Sequence, residues 1–296
     1  MKNIIVVTGG AGFIGSNLIE LLIKKTNFKI LSLDNYSSGS TMNHLKSKKV
    51  SYINGDTKNI NRLLNKYKTK IQVIFHFGEF ARIHQSFNSI NKCIDANISG
   101  TSKVFEFCLE NKIKIIYSAT SASLGNSGKD QNLSPYSWTK SKNLKMMIQL
   151  NKWFGLKYEA LYFYNVYGPR QISKGYMATV IGIFEEQYKN NKKLTVVKPG
   201  HQKRKFTHIN DTVNGCYYAW KKSNNFHYAI SNNKSYSILE VAKLFSNKIK
   251  LLPRRKGERN KSVTVKSISG LKVHKLECKE SLVNYINNIK DINLII

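Results

Sequence analysis

The chain has 296 residues, 41% of them hydrophobic, enough for one compact domain and a smaller lobe around a sizeable core. Lys and Arg number 48 against 17 Asp and Glu, a net charge of +31, yet the cations are mostly lysines scattered among Asn and Ile, as in Lys189-Asn190-Asn191-Lys192-Lys193, which argues against a dedicated nucleic-acid surface. No apolar run approaches the roughly 20 residues of a membrane span, and Cys93, Cys108, Cys216 and Cys278 lack zinc or disulfide spacing, so the expectation is a cytoplasmic protein with free thiols, no metal and no membrane span.

Ile4 to Val7 read as a buried strand that runs directly into Thr8-Gly9-Gly10-Ala11-Gly12-Phe13-Ile14-Gly15, followed by an amphipathic helix over Leu18 to Lys25. Glycines three apart let the turn close, let the backbone approach a pyrophosphate and let helix and strand pack, with phosphates facing the helix N-terminus. Asp34 ends the next apolar run, Ile30 to Leu33, where its carboxylate can accept from ribose hydroxyls, a choice that favours NAD over NADP. Further strand-like runs at Ser51 to Asn54, Val73 to Phe77, Ile113 to Tyr117 and Lys157 to Leu161 alternate with helical segments. That rhythm predicts an α/β fold built on a doubly wound parallel sheet.

Chemistry enters at Ser134-Pro135-Tyr136-Ser137-Trp138-Thr139-Lys140, at the head of a helix reaching about Phe154. Tyr136 and Lys140, four residues apart, share one helix face. An ammonium near a phenol favours the phenolate, which makes Tyr136 a usable acid/base. The run Ile113 to Tyr117 leads into Ser118-Ala119-Thr120, which presents the Thr120 hydroxyl at the carboxyl edge of the sheet.

With these motifs together the chain resembles the extended short-chain dehydrogenase/reductases, in their nucleotide-sugar epimerase/dehydratase branch. Asp34-Asn35-Tyr36-Ser37-Ser38-Gly39, Gly55-Asp56, Asn97-Ile98-Ser99-Gly100-Thr101 and Tyr164-Asn165-Val166-Tyr167-Gly168-Pro169-Arg170-Gln171 are similar to that branch's segments. The resemblance implies NAD contacts from Gly9, Gly12, Phe13, Ile14, Gly15, Asp34, Asn35, Asp56, Thr57, Phe77, Gly78, Asn97 and Lys140. It implies a Rossmann domain over 1–165 with a return segment near 205–232, and a partly discontinuous nucleotide-sugar domain over 166–204 and 233–296. Gly200 to Phe206 and Arg255-Lys256-Gly257-Glu258 resemble the two segments that hold the substrate diphosphate, which makes Arg204, Arg255, Glu258 and Asn165 substrate contacts. The helices near 96–110 and 136–153 would pair in a homodimer.

In the 4-epimerases that the chain resembles, the tyrosine takes the proton of the sugar 4-hydroxyl while NAD takes hydride from C4, a transient 4-keto sugar turns, and hydride returns to its other face. Carried over, Tyr136 is the acid/base, Lys140 orients the nicotinamide ribose and tunes Tyr136, and Thr120 bonds the reacting oxygen. The 4,6-dehydratases add an Asp-Glu pair after the active-site threonine, where this chain has Ser121 and Ala122. The alternatives are such a dehydratase or another sugar-modifying member and, in a different class, a noncatalytic nucleotide- or RNA-binding homologue.

Departures from the pattern point to a substrate of its own, plausibly for surface polysaccharide. Only ten residues, Asn126 to Pro135, separate Gly125 from Tyr136; Lys205 stands where aspartate is usual, and Phe163 where tyrosine is. Glu79 replaces a small residue beside the cofactor; a carboxylate buried there needs a partner, and Arg82 is the nearest cation in sequence. Ser262, counted forward from Arg255, stands where the branch admits or excludes an N-acetyl group, and a serine would admit it.

Overall fold

The computed structural model describes residues 2–123, 129–222, 225–259, 261, 263–268 and 270–295. The chain opens with strand β1 (Ile4–Thr8), helix α1 (Phe13–Lys25), and strands β2 (Lys29–Asp34) and β3 (Val50–Asn54). Short helix α2 (Ile60–Leu64) leads to β4 (Ile71–His76), and then come α3 (Ile83–Asn88), α4 (Ile90–Ile94), α5 (Thr101–Glu110), β5 (Lys114–Thr120), α6 (Pro135–Phe154) and β6 (Tyr158–Phe163). Every residue of β1 is buried, the mark of a parallel strand covered on both faces rather than on one.

The main sheet has nine strands in the spatial order Ser267–Ile268, Leu271–Leu276, His227–Ile230, β6, β5, β4, β1, β2, β3. Its pairs are parallel apart from the outermost, Ser267–Ile268 against Leu271–Leu276. The chain reverses its direction of winding between β1 and β4, so their carboxyl ends open a crevice at the switch point of the sheet. Leu271–Leu276 joins this sheet although the expected partition assigned all of 233–296 to the second lobe; a short run studded with lysines carries little signal of sheet membership.

One face of the sheet is covered by α5 and α6, through Phe105, Leu144 and Met147; the other by α1 and the helix Ile209–Lys221, through Leu18, Leu22, Val213 and Trp220. A third core, with Phe184, Val196, Val241, Phe245 and Ile286, draws on residues from 167 to 289. The segment expected as a single helix near 96–110 is instead α4, a π-helical stretch Asp95–Gly100, and α5. The four cysteines are free. Among the described residues no helix is long and apolar enough to cross a membrane.

Candidate active site

The glycine turn between β1 and α1 is held at the limit of contact. A Cβ on Gly15 would lie 2.1 Å from the Gly9 carbonyl oxygen, and one on Gly9, at φ +68°, 2.8 Å from the Phe77 backbone. Gly12 heads α1 with no side-chain cap and no acid in the first turn, which leaves backbone amides and the positive end of the helix dipole for an anion. Asp34 is buried at the end of β2, where its two oxygens accept from the amides of Ala11 at 2.9 Å and Tyr36 at 2.8 Å. Burial pushes its carboxyl up, against those two amides. A carboxylate has about four acceptor positions, so with the Gly12 amide also donating, one remains for a ribose hydroxyl. These residues fit a dinucleotide.

Around that cradle Phe13 and Ile14 pack into the core beneath the turn. The amides of Phe77 and Gly78 both donate to the Thr8 hydroxyl, at 3.1 and 3.0 Å, so the turn after β4 is tied to the turn after β1. Asn35 donates to Asp56 at 2.9 Å, and Thr57 is buried beside Gly100. Asn97 departs from expectation: it is fully buried, its oxygen accepting from the Phe80 amide at 2.6 Å and its nitrogen donating to Thr139 at 3.0 Å and the Phe80 carbonyl at 3.2 Å. It therefore braces the segment after β4 rather than offering free groups to a cofactor.

Helix α6 begins where its sequence requires. Ser134 and Ser137 form a reciprocal capping box and Pro135 occupies the first turn, so Tyr136 projects from the helix start. The Tyr136 phenol is hydrogen-bonded to Thr120 at the end of β5; burial raises it to about 12, with the Thr120 bond and the Arg82 charge opposing the rise and Glu79 adding to it. One turn later, Lys140 is 3% exposed and its ammonium contacts the Ser118 carbonyl, the Glu79 carboxylate and the face of Tyr117, 4.3 Å from the ring centre. Burial lowers the lysine and Glu79 holds it up.

Glu79 is the centre of this arrangement. One oxygen accepts from Thr101 at 3.0 Å, Tyr117 at 3.2 Å and Asn143 at 3.2 Å; the other meets Lys140 and the Ser118 hydroxyl at 3.3 Å. Burial alone would raise its carboxyl, but Lys140 and these donors hold it below the usual range. The network extends from Thr101 through His76, whose ring nitrogens lie 2.9 Å from Thr101 and 2.7 Å from Thr8; since Thr101 donates to Glu79, His76 Nε2 carries the proton and Nδ1 accepts. The expected Glu79–Arg82 pair does not form. Arg82 instead donates to the Met177 carbonyl from two nitrogens, at 3.0 and 2.6 Å, and to the Ala81 carbonyl at 2.8 Å.

At the opposite wall, Arg204 and Glu258 form an ion pair at 2.6 Å. Arg255 is exposed on a cleft of about 590 Å³ shared with Arg254, Lys256, His84, Phe87 and Asn88. Asn165, at a left-handed φ of +33°, donates to the Lys205 carbonyl at 2.9 Å. Ser262 lies outside the described residues. Sequence reasoning missed Thr101, Tyr117, Ser118 and Asn143 as parts of the site. Asn143 was signalled, since it follows Lys140 by three residues on the same helix face. Arg259, 6% exposed, was also missed; it reaches the Ser121 hydroxyl and carbonyl, both at 3.4 Å, beside Thr120.

Comparison with known proteins agrees with this geometry. Residues 5–232 match the model of the NAD dependent epimerase/dehydratase family. A putative UDP-glucose 4-epimerase from Methanocaldococcus jannaschii is 30% identical over 221 residues, covering 71% of this chain and 70% of the relative. The UDP-N-acetylglucosamine 4-epimerase of Methanobrevibacter ruminantium, solved with UDP-N-acetylmuramic acid, superposes with a TM-score of 0.84 at 26% identity over 99% of this chain and 98% of that one. The UDP-glucose 4-epimerase of Thermotoga maritima, solved with UDP-glucose, gives 0.85 at 24% identity over 99% of each chain.

Proposed function

Since the chain belongs to the NAD-dependent epimerase/dehydratase family, we propose that it is a nucleotide-sugar 4-epimerase, acting on UDP-hexoses or UDP-N-acetylhexosamines. The observation that carries the reading is the Thr120–Tyr136 hydrogen bond at the carboxyl edge of β5, beside the buried Lys140 and next to the glycine cradle of the switch point. NAD is the family's cofactor, and when bound it supplies a reversible acceptor for the C4 hydrogen. Tyr136 takes and returns the proton of the 4-hydroxyl, and Thr120 donates to the same oxygen and favours the phenolate. Lys140 is read as the residue that would hold the nicotinamide ribose, with the ammonium hydrogen not taken by Glu79 and the Ser118 carbonyl. The Arg204–Glu258 pair and the exposed Arg255 serve the diphosphate, where planar guanidinium forks suit phosphate oxygens.

One feature favours epimerisation over dehydration. Eliminating water from C5 and C6 needs an acid and a base next to the threonine, and Ser121 and Ala122 supply neither. The N-acetylated substrates are supported by Ser262 as read from the sequence, and by the UDP-N-acetylglucosamine 4-epimerase among the structural relatives. A role in surface-polysaccharide precursors and a cytoplasmic, homodimeric state complete the proposal; Ile90, Ile94 and Trp138, exposed on α4 and α6, are the side chains that a dimer would cover.

The test is proton NMR of the purified protein with NAD and, in turn, UDP-glucose, UDP-galactose and their N-acetyl analogues, beside Tyr136→Phe. An anomeric signal of the C4 epimer that the variant does not produce supports the reading. A 4-keto-6-deoxy product assigns the dehydratase, and no turnover of any donor favours the noncatalytic alternative.

A further inference from the structure

We propose that Glu79 is a positioning residue for Lys140, a built-in counter-charge that seats the ammonium between the Ser118 carbonyl and the Tyr117 ring and keeps it a cation while Tyr136 works. The proposal rests on the roles given above to Tyr136 and Lys140. Its basis is the number and origin of the groups that hold the carboxylate: Thr101 from α5, Tyr117 and Ser118 from β5, and Asn143 from α6, besides Lys140 itself. Thr101, Tyr117 and Asn143 present donors, while the Ser118 hydroxyl shares its one proton between the carboxylate and the His76 carbonyl, 2.9 Å away. The seat is therefore built for a charged carboxylate, and the side chains of Glu79 and Lys140 are 3% and 4% exposed, so water contributes little.

Without that carboxylate, Lys140 keeps one carbonyl and one ring face, and a buried ammonium with so little compensation gives up its proton. Glutamine does not replace the acid. Turned to offer its oxygen to Lys140, it points its amide hydrogens at the donors of Thr101, Tyr117 and Asn143, and turned the other way it meets Lys140 with N–H.

The other ionisable groups facing the pair are His76 from β4, Tyr117 from β5, Cys93 from α4 and Tyr136 from α6, with Arg82 a fixed charge near Tyr136. Burial pushes His76 down to about 4 and raises Cys93, Tyr117 and Tyr136. From pH 6 to 8, therefore, Lys140 and Glu79 carry the charge of the cluster, and a titration there reads Lys140.

The experiment uses full-length protein carrying carbon-13 at lysine Cε, with the Lys140 signal identified by its loss in Lys140→Met. Wild-type Lys140 is expected to titrate as an ammonium held by Glu79, and in Glu79→Gln to lose its proton at least about one pH unit lower than in wild type. Glu79→Asp, which keeps the charge, is expected to recover most of that shift. In activity, the alkaline limb of kcat moves down with Lys140 in Glu79→Gln while KM holds; a merely structural Glu79 would lower the amplitude and leave the limb in place. An unchanged Lys140 titration in Glu79→Gln overturns the proposal. If that variant does not fold, a wild-type Lys140 already neutral at pH 8 overturns it equally. Failure of wild type to invert C4 in any donor would sink the epimerase reading but not these titrations, so the two can fail separately.

Discussion

Strand β5 carries a buried lysine–glutamate pair near each end, and the two pairs do different jobs. At its start, Lys114 meets Glu159 at 3.0 Å, with side-chain exposures of 12% and 0%. Lys114 also donates to the carbonyls of Ala219 and Trp220, at 3.3 and 3.2 Å, and to that of Lys222, all at the end of the helix Ile209–Lys221. Glu159 accepts from the Phe226 amide at 2.8 Å. Those partners are backbone groups at a helix end and in the loop after it, so the pair closes a helix. At the other end, Glu79 is held by side chains, and Lys140 lies one helical turn after Tyr136 with its ammonium on Glu79, the Ser118 carbonyl and the Tyr117 ring. The same ion pair is structural or functional according to what its remaining hydrogen bonds serve.

That contrast can be broken by substitution. The largest effect is expected at the functional end: Tyr136→Phe removes the acid/base and lowers kcat about 10³-fold or more, while thermal unfolding followed by circular dichroism stays within about 2 °C of wild type. If the variant retains activity, Tyr136 is not the acid/base. Next is Lys114→Met at the structural end, which removes the cation 3.0 Å from the buried Glu159 carboxylate. It should lose about 3–5 kcal/mol in urea unfolding, with kcat near the wild-type value at a temperature where the variant is folded; a large loss of kcat in the folded variant would undo the division of labour.

A third effect sharpens the comparison through pH. His227 sits between Tyr158 and Tyr162, 3.0 Å from each hydroxyl, and burial pushes it down to about 4. An unfolded histidine titrates near 6.5. Between about pH 6.5 and 4 the unfolded chain therefore binds more protons than the folded one, and stability falls as acid is added, by at most about 3 kcal/mol. His76 contributes in the same window from the functional end. His227→Gln should flatten part of the acid decline in unfolding midpoint and leave the His76 part; an unaltered slope would mean that His227 is not buried as a neutral ring. The smallest effect belongs to Arg255, exposed on its cleft: Arg255→Ala should raise KM for a UDP-sugar about tenfold, about 1.4 kcal/mol, and affect kcat less. An unchanged KM would remove Arg255 from the diphosphate site.

Much of this was legible in the sequence because it is local. The glycine turn, the Asp34 strand end and the Tyr136–Lys140 spacing each lie within one supersecondary unit, and the β/α rhythm implies the sheet. The identity of Glu79's partner was not local. Arg82 is three residues away in sequence but its side chain runs to Met177, while Lys140 arrives from a helix 61 residues along. Only the placement of β4 beside β5 brings them together, and no spacing rule encodes it. Asn97 likewise matches a cofactor motif by position, yet its amide bonds are taken up by Phe80 and Thr139. The strand Leu271–Leu276 was hidden for a different reason, since a six-residue run with Lys272, His274 and Lys275 among its apolar residues shows no clear two-residue alternation.

The central claim is that C4 is oxidised and reduced again by a hydride that never leaves the site. The direct test is turnover of UDP-N-acetylglucosamine or UDP-glucose in deuterium oxide, followed by proton NMR. The C4 epimer is expected with its C4 hydrogen fully retained. Deuterium at C4 would contradict it, since that hydrogen would then have exchanged with solvent as a proton.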